Sequence, residues 1–128
     1  MRRAHLIFGI AALLAFIFTG QYMDKVYNHL RGMADLPRML FRSRHIYILL
    51  ASLLNLVLGT YLPRRAAGWR GALQITGSIQ IIIATCLLVG AFFSEPLRGN
   101  LQHTPFSSAG VYLIALGTVM HVIAGIFR

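Results

Sequence analysis

An all-α integral membrane protein, a four-helix bundle with an interfacial segment between its first two helices, is predicted by three features of the sequence. Four long apolar stretches, at about 6–22, 46–62, 72–93 and 108–127, fill most of the 128 residues. The composition is 57% hydrophobic and 12% charged with a mean hydropathy of +0.68, whereas an ordinary soluble domain carries about 25% charged residues. The longest segment between stretches, Met23 to His45, is too short to fold as a separate soluble domain. A hydrocarbon core of about 30 Å takes roughly 20 helical residues, and a helix satisfies its own backbone hydrogen bonds there. The chain is therefore read as a single transmembrane domain, residues 1–128.

The first stretch follows Met1-Arg2-Arg3 and ends in Phe18-Thr19-Gly20-Gln21. That ending lacks the small-x-small pattern of signal cleavage, so the stretch reads as a retained helix. Ala4-His5-Leu6 after the paired arginines does not continue a twin-arginine signal. Pro37 precedes the second apolar run by enough residues to begin that helix early, which puts its first two turns at the interface. Pro63 and Pro96 follow the second and third runs, and Thr104-Pro105 introduces the fourth as cap and first-turn residues. Tyr22, Tyr47, Tyr61, Trp69, Phe92, Phe93, Phe106 and Phe127 lie near the predicted ends, as an interfacial aromatic belt would. Gly77, Ala84 and Ala91, and likewise Gly110, Gly117 and Ala124, form heptad-spaced small stripes. These predict close helix packing, within the bundle or between subunits. Cys86 has no second cysteine to pair with and reads as a buried packing thiol.

The net charge of +9 comes from twelve Lys and Arg against three acids. The cations are spread over every helix flank, which points to lipid headgroups as partners and not to nucleic acid. An even number of spans puts both termini and the 64–71 segment on one side. Each side then holds six Lys and Arg, and Asp24, Asp35 and Glu95 all fall opposite the termini. The purely basic ends and Arg64-Arg65 favour a bacterial inner membrane with both termini cytoplasmic.

Candidate functional residues lie on the second helix and among the histidines. Arg38, Arg42, His45, Ser52, Asn55 and Gly59 share one helical stripe, a polar lane below a cationic mouth. Ser52 and Asn55 are expected to face the bundle interior, while Arg38 and Arg42 offer a site for an anion, whether a lipid headgroup, a quinone or a haem propionate. His121 lies within the fourth apolar run between Gly117 and Gly125, and small neighbours let a helix or a flat cofactor come close. With both termini on one side, His5 of the first helix and His121 of the fourth are expected to face one another. A metal site from His29, His45 and His103 with one of the acids would depend on loop folding alone, because no two of these histidines stand at close helical spacing.

Arg3-x-His5, with an apolar run ending in Thr19-Gly20, resembles the first helix of transmembrane b-type cytochromes over about the first 20 residues. Those helices often open with a basic residue, a histidine and a tryptophan; Leu6 stands where the tryptophan would be, and the paired histidines of di-haem members are absent. The resemblance implies a haem b bundle with His5 as an axial ligand.

No nucleophile set, cysteine pair, phosphate-binding glycine loop or carboxylate within a span is legible. The leading expectation is thus a non-catalytic accessory or assembly subunit, joined to other membrane subunits or to itself as a homo-oligomer. The alternatives are a haem b or quinone-binding electron carrier using His121 with His5, or His45 with the mouth of Arg38 and Arg42, and a lipid-binding or transport protein using the polar lane.

Overall fold

A computed structural model describes residues 1–61, 67–98 and 104–126. Within them lie four α-helices: α1 (Arg2–Lys25), α2 (Asp35–Tyr61), α3 (Gly68–Ser94) and α4 (Pro105–Ile126). They hold 22 to 27 residues each, so each is roughly 33 to 40 Å long. All four are long and apolar enough to cross a membrane. No strand occurs among the described residues.

Each helix begins or stops where its chemistry requires. Pro37 sits in the first turn of α2 and Pro105 opens α4, positions whose amides have no helical partner. α3 stops at Ser94, two residues before Pro96 starts a short 3-10 turn. α2 starts eleven residues ahead of its apolar run, as Pro37 predicts. Between α1 and α2, Asn28, His29 and Leu30 all take positive φ, at 47, 59 and 61°. This left-handed turn is costly for residues with a Cβ, and burial of Leu30 against Phe41, Ile48 and Phe92 holds it.

The helices form two antiparallel hairpins, α1 on α2 and α3 on α4, which meet mainly through α2 and α3. The α3–α4 seam is a backbone contact. A Cβ added at Gly77 would stand 2.8 Å from the Gly117 carbonyl oxygen, and one at Gly117 would stand 2.8 Å from that of Gly77. Ala84, Ala91 and Ala124 are buried as well. Both small-residue stripes are therefore closed within the chain. In the first hairpin Gly9 and Gly59 receive Leu56 and Leu6 in the same way.

Outward positions are mostly apolar, among them Ile10, Leu14 and Phe18 of α1 and Val119 and Val122 of α4. Soluble monomers avoid apolar exposure on this scale, whereas acyl chains solvate it.

Two expectations need correction. Cys86 is exposed on the outer face of α3, because its neighbours Ala84 and Thr85 take the inward positions. Phe92 is fully buried; with Tyr22, Tyr27, Phe41 and Phe93 it forms an edge-to-face aromatic cluster and not part of a belt. Pro63, Arg64, Arg65, His103, Phe127 and Arg128 lie outside the described residues.

Candidate functional site

His5 occupies the first turn and a half of α1 and is fully buried, because the helix starts at Arg2, ahead of the apolar run. Its Nδ1 lies 2.7 Å from Asn55 Oδ1. The amide orientation follows from its other contacts: Asn55 Nδ2 donates to the Ala51 carbonyl and to Thr85 Oγ1, each at 2.8 Å. Oδ1 must then accept, so His5 donates from Nδ1–H and its Nε2 carries the lone pair. Nε2 is buried and has no hydrogen-bond partner among the described residues. Such an atom is a ready ligand or proton acceptor, since leaving it unpaired costs stability.

His121, on α4, brings its ring to within 6.3 Å of the His5 ring, centroid to centroid, at an interplanar angle of 69°. Its Nε2 makes a 3.2 Å contact with Ser78 Oγ of α3. The absence of a side chain at Gly77 admits the imidazole, because a Cβ there would stand 3.2 Å from His121 Cδ2. Beside His121 lies a cavity of about 350 Å³, lined chiefly by Leu54, Leu58, Ile81, Thr118 and Gly125. Gly125 leaves open space there. The two histidines expected to face one another thus do so, inside a largely apolar frame.

The polar lane of α2 is brought together only in its lower half. Ser52 donates to the Gly9 carbonyl at 2.9 Å, and Ser52 and Asn55 are both fully buried towards α1 and α3. His45 lies at the other end of the bundle, stacked on Phe16 at 4.1 Å with Nδ1 2.9 Å from Thr19 Oγ1. Arg38 pairs with Asp35, and Arg42 points outward, so neither joins His45 in one mouth.

Arg44 takes the inward position that the stripe assigned to Arg42. Its Nε donates to Glu95 Oε2 at 3.0 Å and its Nη2 to Ser107 Oγ at 2.8 Å, while Glu95 Oε1 accepts from the Ser107 amide at 3.0 Å. Both side chains are almost fully buried. This pair ties α2 to the end of α3 and the start of α4. Sequence reasoning missed it by treating Arg44 and Glu95 as flank charges; the available signal was a lone acid directly after an apolar span.

His29 pairs with Asp24 and stays exposed. No three of His, Cys, Asp and Glu converge as a metal site among the described residues, and His103 lies outside them. The fold and site define a small four-helix protein with two imidazoles meeting between its hairpins. Compared with protein-family models, curated proteins and solved structures, the chain matches none.

Proposed function

We propose that this chain is an integral membrane protein that carries electrons on a haem b, which His5 and His121 would hold. The observation that supports it is their convergence from α1 and α4, with His5 fixed through Nδ1 by Asn55 and its Nε2 left buried and unpaired. Ligand histidines are characteristically held in this way through the other ring nitrogen. The 6.3 Å between the ring centroids brings the two imidazoles, from two different helices, to one place in the bundle.

When bound, the haem supplies a one-electron iron couple. The chain's own groups bind and shield it. His5 would offer Nε2, His121 would offer the Nε2 that now contacts Ser78, and Leu54, Leu58 and Ile81 would give the cavity beside His121 an apolar wall. Arg2 and Arg70, at the same end of the bundle, supply positive charge for propionates. The basic character of both ends supports, as part of this reading, a bacterial inner membrane with both termini cytoplasmic.

An absorption spectrum of protein purified after haem-supplemented expression tests the reading. A Soret band lost in both His5→Ala and His121→Ala, and kept in His45→Ala, is expected; colourless protein at full yield overturns it. The cavity also favours a second reading, a quinone ring hydrogen-bonded to His121, which extraction and mass spectrometry of a colourless preparation would reveal. The accessory-subunit reading rested on the small-residue seams, whether within the bundle or between subunits, and on the lack of catalytic groups; the glycines of those seams pack within the chain, which supports their use inside the bundle.

A further inference from the structure

The first turns of α2 carry a second feature, at the end of the bundle away from the histidine pair. A groove of about 410 Å³ is lined by Asp35, Arg38, Met39, Arg42, Ser43 and Ile46. Arg38 is anchored in it, because its Nη2 donates to Asp35 Oδ1 and to the Met33 carbonyl, each at 2.9 Å. Its Nε is buried and has no partner. One turn further on, Arg42 is exposed and makes no hydrogen bond or ion pair among the described residues. Asp35, the one carboxylate among the lining residues, is already engaged by Arg38, so with Arg42 the groove holds an excess positive charge.

Below the arginines the same helix turns apolar. Met39, Ile46, Leu50, Leu53 and Val57 recur at helical spacing and are each about half exposed. From Ile46 to Val57 the helix rises roughly 16 Å, about half of a 30 Å hydrocarbon core and so the depth of one leaflet. Two cations in a groove that opens onto one leaflet's length of exposed apolar helix face complement a phosphate diester that carries an acyl chain.

We propose that α2 holds one anionic phospholipid, with its phosphate between Arg38 and Arg42 and a chain along Met39, Ile46, Leu50, Leu53 and Val57. A zwitterionic lipid fits less well, because its headgroup brings a further cation beside Arg38 and Arg42, whose combined charge the single carboxylate of Asp35 offsets only in part. Arg42 makes the better probe, since its side chain supports nothing else in the fold.

Native mass spectrometry of the full chain, titrated with phosphatidylglycerol or phosphatidylcholine in detergent, tests the assignment. Phosphatidylglycerol is expected to bind one per chain and more tightly than phosphatidylcholine. One surface arginine contributes about 1 kcal/mol to anionic-lipid attraction, so Arg42→Ala should weaken binding about fivefold. Arg31→Ala, at an exposed cation on the same side but outside the groove, should leave it unchanged, and inorganic phosphate at millimolar concentration should not displace the lipid. Equal binding of the two lipids, equal losses in the two variants, or displacement by inorganic phosphate alone overturns the proposal.

Discussion

Asn55 is the side chain on which the candidate site turns, because one amide orders His5, Thr85 and the Ala51 carbonyl together. Losing a partner that orients a ligand typically weakens metal binding about 10–100-fold. If the chain holds haem as proposed, Asn55→Ala is expected to weaken its retention over that range in a competition with apo-myoglobin, with the helical circular dichroism preserved; unchanged retention would remove Asn55 from the site. The pair Arg44 and Glu95 obeys a different rule. Removing one member of a buried ion pair strands the other, at about 3–5 kcal/mol, whereas replacing both by apolar residues is often neutral. Unfolding in mixed micelles should show Arg44→Leu strongly destabilised, and the double variant with Glu95→Leu recovering most of the loss. Asn55 and Ser52 were legible in the sequence, since a polar side chain inside an apolar span must turn inward. The partnership of Arg44 with Glu95 was not, because 51 residues separate them and neither position alone specifies a neighbour.

The two hairpins share a closing device. Arg2, at the start of α1, donates to the Gly59 and Thr60 carbonyls in the last turn of α2. Arg70, in the first turn of α3, donates to the Ala124 carbonyl near the end of α4. Carbonyls at a helix end have no partner within the helix, and a cation there also opposes the helix dipole. Seven residues further along each odd-numbered helix, Gly9 and Gly77 admit the partner helix. Gly117→Ala forces a methyl against the Gly77 carbonyl, and overpacking of this kind costs about 1–3 kcal/mol. A lower midpoint of thermal unfolding in detergent is expected, and an unchanged midpoint would mean that the seam yields freely. The stripes themselves were visible from their heptad spacing. Which helix each one faces was not, because a small residue serves a sister helix and another subunit equally well.

For the molecule as a whole, four spans and the early start of α2 followed from length, hydropathy and Pro37. The inward or outward sense of single positions followed less well. Cys86 and Phe92 were misread because an apolar helix gives a weak contrast between its lipid face and its core face. The exposed position of Cys86 midway along α3 predicts that a charged maleimide will not label it in intact membranes and will do so after denaturation in dodecyl sulfate. Labelling without denaturation would put that part of α3 in water. An epitope inserted at Gly32, at the turn before α2, should be protected on the side opposite a tag at residue 1. Detection of both on the same side of sealed vesicles would break the even-span topology.

His5 and His121 stand 116 residues apart in a chain of 128. Both helices of the first hairpin, which Arg2 closes, have been made once residue 61 has left the ribosome, but the imidazole pair has only one member until residue 121 follows. On the haem reading, nothing that needs both rings could be captured before the second hairpin docks against the first, so loading would follow that docking.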